Sequence, residues 1–293
     1  MEIIIGRVDG INTSDNVLNI LVTDSLKKTY NIKASLAHKA NIVQGTIYKF
    51  NVEKNGNKNI LCSIDDIKSL DDTEIVSIMH SFGNSSPLSY DESVKEINDY
   101  LNKIDSKIIY DITKYLLDKF HKDFFIYPAA AKMHHAYVGG LSYHTIGMLR
   151  MADSFLLNYS YLNKNYLYAG IILHDIGKTT EFDGIQNTDY SLKGQLIGHL
   201  VIGGMEVNEA ARVLHYEDTE EALILEHMLI SHHGQPQFGA AKRPMTAEAL
   251  VLWYIDTIDS KFRVLGDELN KIKPGEYTDQ IGVLDRVKVY KTK

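Results

Sequence analysis

Residues 170–178 read GIILHDIGK, and the reading of this stretch decides the fold. Ile171, Ile172 and Leu173 continue an apolar run, so the segment is expected to be a buried helix, with Gly177 supplying its stop. His174 and Asp175 fall where that helix should be ending. An ionised aspartate carried into an apolar interior is costly unless it is paired or bound to a metal. A ligand role for the His174-Asp175 pair removes that cost. Lys178, one turn beyond Asp175, is placed to reach a phosphate oxygen beside such an ion.

Similar donors recur on both sides: His144 in GLSYHTIGMLRMADSFLL, His199 in LIGHLVI, His232 and His233 in HMLISHHG, and Asp256 in LVLWYIDTID. Each lies in or at the end of a segment with apolar residues at helical spacing, so all can converge in the core of a bundle. Singly, each has a blander reading. A His-Asp dipeptide is unsurprising among 12 histidines. His199 reads equally as a hydrogen-bonded core histidine, and the paired histidines before Gly234 as a helix C-cap. Asp259, one turn past Asp256, reads as a surface or supporting group, and His134 and His135 as supporting, substrate-contacting or surface residues. Seven donors in the order H, HD, H, HH, D carry a weight together that none has alone.

The chain of 293 residues, 44% hydrophobic, is long enough for about two domains and a substantial core. Up to about residue 67, EIIIGRVDG, NVLNILVTD, KTYNIKAS, TIYKFNVEKNG and KNILCSIDDI read as five short strands, the number of an OB-fold, although an SH3-like barrel fits a similar pattern. Aromatic platforms and a basic groove for single strands would come from Tyr30, Lys33, Tyr48 and Lys49. Alternation places Tyr48 and Phe50 together on one face and Lys49 on the other. From Leu70 to about Lys273 the period becomes helical. Asp218 and Glu221 are expected to cap the helix that ends at SHHG, GQLIGHLVIGGMEVNEAARVL is expected to be one helix, and the tail IGVLDRVKVYK a strand.

Charge is unevenly spread: residues 1–70 carry +2 and the remainder −9, making the N-terminal part the better partner for a polyanion. The single cysteine, Cys62, excludes an intramolecular disulfide framework and a thiolate zinc cluster, in keeping with a reducing compartment. Any metal must therefore be held mainly by His and carboxylate. The start MEIIIGRVDG has no basic-then-apolar leader and no stretch approaches a membrane span, so the expectation is a cytoplasmic protein without membrane association.

The order His144, His174-Asp175, Asp256 resembles the HD superfamily of metal-dependent phosphohydrolases, and His199 with His232-His233 resembles its two-metal members. More closely, AAKMHHAYVGGLSYHTIGMLRMA, GIILHDIGK, GHLVIG, HMLISHHG and YIDTID behind a small barrel resemble the YhaM-type 3′→5′ exoribonucleases. The resemblance is specific over residues 129–260 and weak before residue 70. It implies a mainly α protein, a helical HD-domain bundle preceded by an OB-like β-barrel. The implied layout is a nucleic-acid-binding barrel at 1–67, a helical linker region at 68–128, the phosphohydrolase domain at 129–273 and a tail at 274–293.

By the same resemblance, His144, His174, Asp175 and Asp256 would bind one divalent ion. Asp175 would bridge to a second, held by His199 and by His232, His233 or both. All-nitrogen-and-oxygen ligation suits Mn²⁺ first, then Fe²⁺ or Co²⁺, with Zn²⁺ and Ni²⁺ also compatible. Two ions roughly 3.5–4 Å apart clamp both the attacking and the leaving oxygen of a phosphodiester. Asp175 and Lys178 are then the catalytic candidates, with Lys178 on non-bridging phosphate oxygens. His135, Arg150, Lys242 and Arg243 are further substrate-contact candidates, the last three reading first as surface residues.

The implied substrate is single-stranded RNA, with single-stranded DNA a second candidate, cut to nucleoside 5′-monophosphates. An acidic helical domain is a poor match for a polyanion, which makes bound metals or a homo-oligomer the expected source of a more positive path. Two rivals stand. One is an HD phosphohydrolase acting on free nucleotides; its cyclic-dinucleotide branch is disfavoured because SHHGQPQFGAAKRP lacks a Gly-Tyr-Pro element. The other is a non-catalytic nucleic-acid-binding module, disfavoured by the complete ligand set.

Overall fold

The computed structural model describes residues 1–56, 58–83, 85–130, 137–185 and 188–293. Five strands open the chain: β1 (Glu2–Ser14), β2 (Val17–Thr23), β3 (Thr29–Ser35), β4 (Ile47–Asn55) and β5 (Lys58–Asp66). They close in the order β1-β2-β3-β5-β4, with β1 pairing antiparallel to β4 and β3 parallel to β5. This is an OB-like barrel. Period-two alternation sends Leu18, Ile20, Val22, Ile32, Phe50 and Val52 inward, and all six are fully buried.

That same alternation corrects the expectation for Tyr48. It is 5% exposed, packs edge-on against Phe50 and accepts a hydrogen bond from the Val43 amide, so it has no face to offer a base. Lys49 lies on the other side but is paired with Glu74 at 3.4 Å. Tyr30 is half-buried; its hydroxyl donates to Asp24 at 3.0 Å and Lys28 lies over its ring. Lys33, also half-buried, sits where β3 meets β5.

Helices follow: α1 (Asp72–Ser81), α2 (Tyr90–Leu101), α3 (Lys107–Lys119), α4 (His121–Ile126), α5 (Gly140–Asn158), α6 (Lys164–Leu173) and α7 (Lys178–Glu181). A two-strand ribbon, β6 (Phe182–Asp183) and β7 (Asp189–Tyr190), precedes α8 (Leu192–Ile197), α9 (His199–Val213), α10 (Glu220–Ser231) and α11 (Ala247–Asn270). The helix expected over residues 194–214 is two, because Gly198 takes φ +78 and breaks the path between α8 and α9. The cap of α10 is Thr219, whose side chain accepts from the Ala222 amide, one residue later than expected. The tail is no regular strand: it folds back through the isolated bridges Tyr277–Tyr290 and Ile281–Val287. Among the described residues no helix is long and apolar enough to cross a membrane.

The main helical core is built from Ile112, Leu116, Leu149, Ile172, Leu225, Leu252 and their neighbours, with α6 at its centre. A smaller cluster welds barrel to helices: Ile47 and Ile67 from the barrel side pack with Ile75, Met79, Ile126 and Val138. Lys122 reinforces this seam by donating to the carbonyls of Lys68 and Leu70.

Candidate metal centre

Five helices deliver the donors. His144 stands on the second turn of α5, His174 caps the C-terminus of α6 with Asp175 in the turn beyond, and His199 opens α9. His232 caps α10, with His233 next to it, and Asp256 lies in α11. His174, His199 and His232 come from helix ends, while His144 and Asp256 come from within α5 and α11. Gly177 permits the closest approach: a Cβ there would fall 2.2 Å from the His199 carbonyl oxygen and 2.9 Å from the Gly203 amide nitrogen. Only glycine lets the turn after Asp175 rest on the start of α9.

The donors fall into two groups, His144 with His174 and Asp256, and His199 with His232 and His233; within each the ligand atoms lie within 4.8 Å of one another. Asp175 lies between them. Its Oδ2 is 3.1 Å from His174 Nε2 and 4.0 Å from His144 Nε2. Its Oδ1 faces the other group, 3.4 Å from His199 Nε2 and 3.7 Å from His232 Nε2. His144 Nε2 is also 3.2 Å from Asp256 Oδ1.

Every imidazole is aimed by its second nitrogen. The Nδ1–H groups of His174, His232 and His233 donate to the carbonyls of Ile171, Leu229 and Phe238 at 2.8, 2.7 and 2.7 Å. That of His144 donates to Asp259 at 2.7 Å and that of His199 to Glu181 at 3.0 Å. Such partners fix the tautomer and turn Nε2 toward the centre. Gly147 makes room for this on α5, since a Cβ there would meet Asp259 Oδ1 at 2.8 Å.

Among the described residues, four buried side-chain atoms have no hydrogen-bond partner: His174 Nε2, His199 Nε2, His232 Nε2 and Asp175 Oδ1. Orphaned polar atoms are rare in protein interiors, and four converging on one spot need a ligand. Three imidazole nitrogens and a carboxylate oxygen fit a divalent cation and fit little else. Electrostatics agree. Burial opposes the charge of Asp175, but His174 and Lys178 hold its carboxyl well below the usual range. Burial likewise opposes ionisation of Asp256, and its hydrogen bond to His144 overrides that. Burial pushes His199, His232 and His233 down, which keeps them neutral and able to bind metal.

Lys178 Nζ lies 2.7 Å from Asp175 Oδ2 and donates to the Ala129 carbonyl at 2.7 Å, so its first partner is the bridging carboxylate itself. Arg150 is not brought to the centre; it forms a two-pronged surface pair with Glu96 at 2.7 Å. Lys242 and Arg243 are exposed in the loop before α11. His134 and His135 lie outside the described residues. Asp259 takes the supporting role that was one of its two readings. Glu181 has no place in the sequence reading: it sits in a polar tract, KTTEFD, and its only signal is one helical turn's distance beyond Lys178.

A family model described as HD domain matches residues 141–261. The chain is 41% identical over 210 residues to a Bacillus licheniformis protein named 3′-5′ exoribonuclease YhaM, covering 72% of this chain and 67% of that protein. It is 40% identical over 210 residues to a protein of the same name from a Geobacillus strain, covering 72% of this chain and 64% of that one. To a namesake from Bacillus velezensis it is 40% identical over 225 residues, covering 77% and 71%. No solved structure matches.

Proposed function

The chain belongs to the family of the YhaM 3′-5′ exoribonucleases, and from that premise we propose that it removes nucleotides from the 3′ end of single-stranded RNA as nucleoside 5′-monophosphates, using two divalent ions. One observation carries the two-ion reading: the two oxygens of buried Asp175 face separate donor groups, with His174 Nε2 unpartnered in one and His199 Nε2 and His232 Nε2 unpartnered in the other. His144, His174, Asp175 and Asp256 would hold one ion; Asp175, His199, His232 and His233 the other. The donor set favours Mn²⁺, with Fe²⁺, Co²⁺, Zn²⁺ and Ni²⁺ also compatible. Bound there, the ions supply Lewis acidity toward phosphoryl oxygens and a route to a nucleophile at neutral pH.

The remaining work falls to the protein. Lys178 keeps Asp175 ionised through their 2.7 Å contact and, in this reading, supplies positive charge toward non-bridging oxygens. Asp259 and Glu181 hold two imidazoles in orientation. Residues 1–67 would guide the strand, through Lys33, Tyr30 and Lys49 rather than Tyr48.

Metal-stripped protein given 5′-labelled single-stranded RNA and then Mn²⁺ tests this, run beside matched DNA and free nucleotides. A ladder shortening from the 3′ end only when metal is present is the expected result. Intact oligomers with dephosphorylated nucleotides would move the protein to the nucleotide-hydrolase class, and no reaction at all would point to a binding module.

A further inference from the structure

A cleft of about 530 Å³ opens beside the centre, and His233 from one donor group and Asp256 from the other both line it. A ligand seated there lies against both groups at once. The rest of its lining comes from Gln235 and Phe238 after α10 and from Trp253, Thr257, Ser260 and Lys261 of α11. The size falls within the range for small-ligand sites.

Phe238 is the telling residue. It ends a single helical turn, Pro236–Phe238, and is 63% exposed, an apolar ring left in water on the cleft that opens beside the donors. Its backbone is nevertheless fixed, because its carbonyl accepts the Nδ1–H of His233 at 2.7 Å. The residue that orients one donor imidazole therefore carries a phenyl ring at a set distance from the centre. Trp253, which also lines the cleft, packs against Gly234, where a Cβ would lie 2.0 Å from the indole, and it stacks on Tyr254 with centroids 4.9 Å apart. Lys261, five residues beyond Asp256 on α11, adds the one cation among the described residues lining the cleft.

An exposed ring, a rigid aromatic side chain and a cation next to a phosphoester-cleaving centre suit the base and the anionic phosphates of a nucleotide. We infer that this cleft is a nucleoside subsite in which Phe238 stacks the base of the nucleotide whose phosphate meets the centre, with Lys261 facing the anionic backbone. This rests on the proposed phosphodiesterase reading. Base stacking is tolerant of base identity, as an exonuclease acting along any sequence requires.

The chain's only tryptophan is Trp253, so its fluorescence reports occupancy of the cleft without turnover. Mn²⁺-loaded wild type and Phe238→Ala would be titrated with adenosine 5′-monophosphate and with ribose 5-phosphate. Loss of the ring should weaken the nucleotide about tenfold, from the usual worth of a base–aromatic stack, and leave the sugar phosphate within twofold. Phe238→Tyr should restore nucleotide affinity, and Phe238→Leu, of similar bulk, should not. Equal loss of both probes, or loss of neither, overturns the subsite. Metal content measured on each variant separates this from a disturbed His233, and the Leu variant decides if the Ala variant loads poorly. Failure of wild type to shorten RNA, by contrast, sinks the exonuclease reading and is scored in a separate assay.

Discussion

Glu181 grips His199 twice: one carboxylate oxygen accepts both its backbone N–H and its imidazole Nδ1–H, each at 3.0 Å. Burial works against an ionised Glu181, but the hydrogen bonds it accepts from His199 hold its carboxyl below the usual range. This pair fixes the first turn of α9 and the aim of one donor. Glu181→Ala is expected to lower metal affinity about 10- to 100-fold at the His199 group and leave the His144 group loaded. Metal stoichiometry by elemental analysis against free-metal concentration checks this; loss of both ions in parallel would argue against two separable half-sites.

Asp175→Asn keeps the shape of the bridge and removes its charge. Turnover should fall by about a hundredfold or more, with far-ultraviolet circular dichroism unchanged. Near-normal turnover, with metal contamination excluded, refutes the central role of this carboxylate. Asp175→Ala should lose at least as much activity while largely keeping the fold, because Lys178 retains its bond to the Ala129 carbonyl.

Gly177→Ala tests the approach of α9. The added Cβ would fall 2.2 Å from a backbone oxygen, which no rotamer change can relieve. His199 should be pushed from Asp175, with lower melting temperature and lower metal content together. Gly266 has open space around its Cβ position, so Gly266→Ala in α11 is the control that should leave metal content unchanged and the melting temperature the same or slightly higher.

In the metal-free protein, burial pulls the His144 imidazole down while its bonds to Asp256 and Asp259 lift it, for a net rise from 6.5 to about 9. The folded value exceeds the unfolded one, so this contribution to stability is complete below about 6.5 and fades as pH climbs through about 9. A cation replaces the proton. Metal-free protein should therefore lose melting temperature between pH 7 and 9, saturating metal should flatten the curve, and apparent metal affinity should rise over the same window. Parallel curves with and without metal would remove His144 from the ligand set.

Ile67 is fully buried where barrel and helices meet. Ile67→Ala should cost about 2–5 kcal/mol, with chemical denaturation as the readout. Removing residues 1–67 outright would bare Ile75 and Met79, so the truncation should be less stable than the whole chain. Where it remains folded, it should bind long single strands more weakly and still cleave small phosphodiesters.

The legible parts of the sequence were those where chemistry conflicts with surroundings. Asp175 and Asp256 stood out as acids in apolar runs, and the strands announced themselves through alternation. Glu181 escaped because a glutamate among polar residues conflicts with nothing; its role depends on a 3.0 Å contact across 18 positions. Gly198 looked like one more small residue in an apolar helix until its positive φ split that helix in two. Tyr48 was read as an available aromatic although its alternation with Phe50 already placed it inside.

The donors span residues 144 to 256, and the last comes from α11, the final helix of the bundle. A nascent chain emerging from the ribosome lacks Asp256, as well as Asp259 that steers His144, until α11 has been made. Under the proposed activity, the enzyme is thereby silent during its own translation. A protein that consumes RNA could not attack the message encoding it until α11 had closed its catalytic pocket.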